Sequence, residues 1–103
     1  MNSIVKDQII ELSQICETHR VQRLELFGSA VAGGEFDNQA SDLDFIVEFL
    51  PLHAGEYANN YFGLLSALQR LFGRPVDLVM QSAIRNRYFL KSISDSKEVV
   101  YAA

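Results

Sequence analysis

The sequence predicts an α/β fold, a short β-sheet with helices packed against it, and two observations carry that prediction. Two stretches repeat apolar side chains at helical spacing, from about Ser3 to Thr18 and from about Tyr57 to Phe72. Dense apolar runs of strand length stand beside them, at Val21 to Phe27, about Leu43 to Phe49, and Pro75 to Met80.

In the first helical stretch Val5, Ile9, Leu12 and Cys16 share one stripe, widened by Ile4 and Ile15. Cys16 on that stripe reads as a small core hydrophobe rather than a reactive thiol. His19 near the helix end reads as a surface or capping residue, because no second histidine or cysteine stands at ligand spacing. The second helix has Tyr61, Leu64, Leu65, Leu68, Leu71 and Phe72 on its stripe, and Gly73 followed by Arg74-Pro75 supplies the stop. Pro51 ends the second strand, and His53 falls in the connection that follows. Ser82 to Ile93 has a mixed pattern, read as one helix or two short ones, and Glu98 to Tyr101 as a last short strand. Arg85, Arg87 and Lys91 form a basic cluster there, read as a solvated helical face, with a nucleotide or an acidic partner as the other reading.

Length and composition narrow the class. At 103 residues and 11.6 kDa the chain is expected to form one domain, 1–103. An apolar fraction of 49% and a charged fraction of 21% fit a soluble globular protein. The net charge of −4, from 9 basic and 13 acidic residues, speaks against non-specific nucleic-acid binding. A single cysteine excludes an internal disulfide framework and fits a reducing cytosol. No apolar run approaches the ~20 residues of a membrane span and no signal peptide is visible, so a cytoplasmic location is expected.

The chemistry concentrates between Leu24 and Phe49. An apolar strand runs into Gly28-Ser29, a polar loop follows, and Asp42-Leu43-Asp44 opens the next apolar strand. Gly28 permits a sharp turn and close approach of backbone to a ligand, because it has no Cβ. Ser29 suits the cap of a short helix through Ala30 and Val31, whose free amides would point at an anion. Asp42 and Asp44 are two residues apart, so on a strand both leave the same face, roughly 7 Å apart along the axis. Such a pair can converge on two Mg²⁺ ions about 4 Å apart, as a metal-bound triphosphate requires. Asp37, in the GGEFDNQAS loop, reads as a turn former, with metal ligation as the other possibility. Glu48 shares the aspartate face by parity but lies some 13 Å beyond Asp44. Asp77 interrupts an apolar strand, where a carboxylate is costly unless paired or metal-bound; a solvated edge strand is the alternative.

The Gly28-Ser29 pair, the SDLDFIV string and the later acidic strand together resemble the minimal nucleotidyltransferases, the smallest members of the DNA polymerase β-like superfamily. The resemblance spans most of the chain. It implies the nucleotidyltransferase fold, a short mixed sheet with helices packed on it, and transfer of a nucleoside monophosphate to a hydroxyl with release of pyrophosphate. In that scheme amides around Gly28 and Ser29 hold the terminal phosphates, Asp42 and Asp44 bind Mg²⁺, and Asp77 completes the metal site and assists as base. The family pattern Gly-Ser-x-Ala-Arg-Gly is broken here, with Ala32 where arginine is expected, which removes a fork of charge-assisted donors.

Minimal nucleotidyltransferases of this size commonly act as antitoxins of helical HEPN-type toxins, some by attaching AMP to a toxin tyrosine. The resemblance therefore implies an antitoxin-type protein adenylyltransferase using ATP and Mg²⁺, in a hetero-oligomer with a HEPN-type toxin. Ala32 motivates the alternative of a non-catalytic module that masks its partner through exposed aromatics of the second helix. A transferase acting on a small molecule or on RNA ranks last, because the chain lacks a second domain and is acidic.

Overall fold

In the computed structural model the residues described are 3–27, 42–83 and 97–103. Gly28, Ser29, Ala32, Asp37, Arg85, Arg87 and Lys91, and most of the helix expected over Ser82 to Ile93, lie outside them. The elements are α1 (Ser3–Lys6), α2 (Ile9–Thr18), β1 (Val21–Phe27), β2 (Leu43–Phe49), α3 (Glu56–Phe72), β3 (Val76–Met80), a 3₁₀ turn (Gln81–Ala83) and β4 (Lys97–Ala102).

The four strands form one mixed sheet in the order β3-β2-β1-β4, with β2 antiparallel to β1, β1 antiparallel to β4, and β2 parallel to β3. The expected α/β architecture with a short mixed sheet is therefore present. The expected first helix is broken in two. At Asp7 and Gln8 the chain leaves helical geometry (Gln8 φ −114°, ψ 20°), and the Gln8 N–H reaches back only three residues, to Val5 O at 3.1 Å. Val5 and Leu12 nevertheless both stay in the core, so the apolar stripe survives the break.

Alternation along the strands sorts the side chains into two layers. Leu43, Phe45, Val47 and Phe49 of β2, Leu24 and Leu26 of β1, and Val76 and Leu78 of β3 join one cluster with Leu12 and Cys16 of α2 and Leu64 and Leu68 of α3. Phe45 is fully buried and stacks on Phe72, ring centroids 6.0 Å apart. Truncating it to alanine would cost about 3–5 kcal/mol. Cys16 is buried and free, as its place on the stripe predicts.

Local chemistry sets the helix ends. Gly73 terminates α3 in the left-handed conformation (φ 62°), its N–H bonded to Gln69 O at 2.9 Å. At the other end His53 contributes through its backbone: its N–H donates to Glu56 Oε1 at 3.1 Å and its carbonyl accepts from Glu56 N at 2.9 Å. The reciprocal pair has the logic of a capping box. His19 caps α2 as expected, Nδ1–H donating to Ile15 O at 2.8 Å. Its ring lies over Gly63 of α3, where an added Cβ would meet Cδ2 and Nε2 at 2.9 Å, so glycine is what lets the two helices approach here.

Candidate active site

The layer opposite the helices carries the acids. Because Leu43, Phe45 and Val47 are held in the core, the side chain of Asp44 is directed to the other face of the sheet, and Asp42 shares its parity. Asp77 is fixed in the same way between Val76 and Leu78. In the parallel β2–β3 ladder Asp44 and Asp77 are register partners. Residues 33 positions apart in sequence are thereby brought side by side, Cβ atoms about 5 Å apart. Asp42 and Asp77 are exposed, whereas Asp44 is half-buried.

Electrostatics mark the same spot. The Asp44 carboxyl is held above the usual aspartate range, first by burial, then by the charges of Asp77 and Asp42. Each of these causes disfavours a bare carboxylate and would be relieved by a cation. Among the described residues, no three acidic, histidine or cysteine side chains stand together as a ready-made metal cage. The donor set is nonetheless all oxygen and acidic, which suits a hard dication such as Mg²⁺. That ion takes one or two carboxylates and fills its remaining positions with water and phosphate.

One expectation needs adjustment. A costly buried carboxylate is expected at Asp77, yet the residue is exposed on β3, an edge strand among the described residues. Its position beside Asp44, not desolvation, is what distinguishes it. Glu48 is exposed near the sheet end, opposite Arg23, and takes no part in the cluster, as its distance predicts.

Two residues on this face escaped the sequence reading. Glu25, in β1, is 4% exposed, and its Oε2 lies 3.3 Å from Nζ of Lys97 at the start of β4. The clue to Glu25 was available, since an acid between Leu24 and Leu26 is as anomalous as one between Val76 and Leu78. No local signal points to Lys97, which precedes the strand expected from Glu98. A groove of about 420 Å³ also runs along β3, lined by Tyr57, Ala58, Tyr61, Leu78, Val79, Met80 and Ala83. It contains no carboxylate and is separate from the acidic cluster.

A mixed sheet with helices on one face, and with carboxylates from two parallel strands meeting on the other, defines the class of nucleotidyltransferases. Residues 9–100 match the family model described as a nucleotidyltransferase domain, and the chain belongs to that family. Two proteins of Methanocaldococcus jannaschii, both provisionally named as protein adenylyltransferases, are related in sequence. One is 32% identical over 77% of this chain and 76% of its own, the other 34% identical over 90% and 91%. A solved structure provisionally described as a minimal nucleotidyltransferase superposes with a TM-score of 0.73 at 25% identity, covering 95% of each chain. The fold also recurs in a toxin–antitoxin complex with AMP-PNP (TM-score 0.64, 21% identity, 95% of this chain and 73% of that one). It recurs again in a complex of a tri-AMPylated Shewanella oneidensis HEPN toxin with its MNT antitoxin (TM-score 0.53, 20% identity, 100% and 74%). No helix among the described residues is long and apolar enough to cross a membrane.

Proposed function

We propose that this protein transfers AMP from ATP to a hydroxyl, a tyrosine of a HEPN-type toxin, and so acts as an antitoxin. The observation that carries the reading is the pairing of Asp44 with Asp77 across the parallel ladder, with Asp42 just before the strand and its charge acting on Asp44. Such a cluster serves a reaction in which charge neutralisation and alignment are most of the work. The relatives named as protein adenylyltransferases support the transferase class, and the toxin–antitoxin structures that share the fold support the partner.

In this reading Asp42 and Asp44 hold Mg²⁺, which when bound offsets phosphate charge and polarises the reacting oxygens. Asp77 adds a third oxygen ligand and stands ready to accept the proton of the acceptor hydroxyl. The hydroxyl oxygen forms a bond to the α-phosphorus while the bond from that phosphorus to the α–β bridging oxygen breaks. Pyrophosphate leaves, and the acceptor becomes an AMP ester. Gly28 and Ser29, through backbone amides, are assigned the terminal phosphates. Incubation of the toxin with α-labelled ATP, Mg²⁺ and this protein should label the toxin, and Asp42→Asn or Asp44→Asn should abolish the label. Undiminished labelling by both variants would overturn the proposal.

Phe62 of α3 favours a second reading. It is 63% exposed, large and apolar, as a surface that masks a partner by contact alone would require. On that reading the double variant D42N/D44N still binds and inhibits the toxin, while Phe62→Ser weakens the complex and titration calorimetry detects no Mg²⁺-dependent ATP binding.

A further inference from the structure

The acidic pair is one end of a row that crosses the whole described sheet. Asp77 is the register partner of Asp44, Asp44 of Phe27, and Phe27 of Lys97, so the four side chains share one level and one face. Strands are spaced about 4.8 Å apart, which puts Lys97 about 10 Å from Asp44 on the far side of Phe27. Phe27 leads directly into Gly28 and Ser29.

Glu25 explains why Lys97 is held there. A carboxylate this buried needs a cation, and the Lys97 ammonium supplies it at 3.3 Å. The contact leaves the ammonium with donors to spare, and a third of the lysine side chain remains exposed. Without it, a triphosphate would meet a face carrying Asp42, Asp44, Glu25, Glu48 and Asp77. The other described cation of this face, Arg23, is the register partner of Glu48 and lies four residues back from Phe27, roughly 13 Å along the strand.

The geometry points to Lys97 as the side chain that binds the terminal phosphates of the nucleoside triphosphate, with Glu25 as the positioning residue that fixes the ammonium at the level of the carboxylates. This inference rests on the nucleotide-dependent activity proposed above. It divides the substrate between two ends of one row: the metal-binding acids take the reacting phosphate, and the lysine takes the pyrophosphate that will leave.

The test compares ATP with AMP, which lacks the phosphates that Lys97 is assigned. Mg²⁺-dependent binding of each is measured by titration calorimetry for the wild type, Lys97→Gln, Lys97→Arg and the neutral pair E25Q/K97Q, in which no charge is left buried. Lys97→Gln and the neutral pair should weaken ATP binding about tenfold, the scale of one charge-assisted contact, and leave AMP binding unchanged. Lys97→Arg should restore most of the difference, and in AMP transfer the loss should fall on KM for ATP more than on kcat. If the neutral pair retains the wild-type preference for ATP over AMP, Lys97 is only the structural partner of Glu25 and the inference falls. If the wild type binds no ATP at all, the proposed activity falls first and this inference with it.

Discussion

Replacing Asp77 by asparagine should move stability in opposite directions with and without Mg²⁺. In the metal-free protein Asp77 stands directly opposite Asp44, and like charges so placed are destabilising by about 0.2–1 kcal/mol. Coulomb's law gives the same scale, about 0.8 kcal/mol for unit charges ~5 Å apart in a water-like medium, the appropriate one for an exposed side chain. Asp77→Asn removes that repulsion without changing shape, so in EDTA the variant should gain about 0.5–1 kcal/mol. For a domain of this size that is a rise in Tm of roughly 2–6 °C. Adding Mg²⁺ reverses the order. An ion present at about ten times its Kd stabilises the folded wild type by about 1.4 kcal/mol, and the variant, one ligand short, should lose most of that increment. Thermal denaturation of both proteins across a Mg²⁺ titration gives all four values. A variant less stable than wild type in EDTA, or one with an intact Mg²⁺ response, would refute the assignment of Asp77 to the cluster.

Other consequences follow from the same structure. The raised Asp44 carboxyl binds its proton more tightly folded than unfolded, so its contribution is complete below the ordinary aspartate value of 3.8 and is lost as pH rises through the raised folded value. Metal-free Asp44→Asn should therefore gain stability relative to wild type as pH climbs from about 3.8 towards neutrality, which a Tm–pH series in EDTA would reveal. Gly63→Ala, with a Cβ 2.9 Å from the His19 ring, should cost about 1–2 kcal/mol in urea denaturation. In a His19→Ala background the same change should stabilise by up to about 1 kcal/mol, because only the helix preference of alanine remains. Burial pushes the Cys16 thiol up to about 12, so it should resist iodoacetamide at pH 8 in the native protein and react quickly in denaturant.

The strands around the site were the most legible part of the sequence. Val21 to Phe27 and Leu43 to Phe49 match the observed β1 and β2, because apolar density and the flanking polar residues fix both ends. The break at Asp7 and Gln8 was not legible, since the apolar spacing of Val5, Ile9 and Leu12 continues across it. Asp77 is legible only in part: an acid in an apolar strand marks the position, but its surroundings are solvent rather than core. Lys97 was beyond reach for a more basic reason. Its interest comes from a row running through β1, β2 and β3, and strand register is a property of non-local pairing that no window of sequence contains.

The alternation of β2 also locks its register. Its odd-numbered residues are buried against the helices while Asp44 emerges between them, so slippage by a single residue would drive that carboxylate into hydrocarbon and expel Phe45 into water. No stable state of this chain can keep its hydrophobic interior and misplace its acids. A variant that still melts cooperatively at the wild-type temperature can be assumed to hold its aspartates in register, and any defect it shows is one of chemistry rather than of shape.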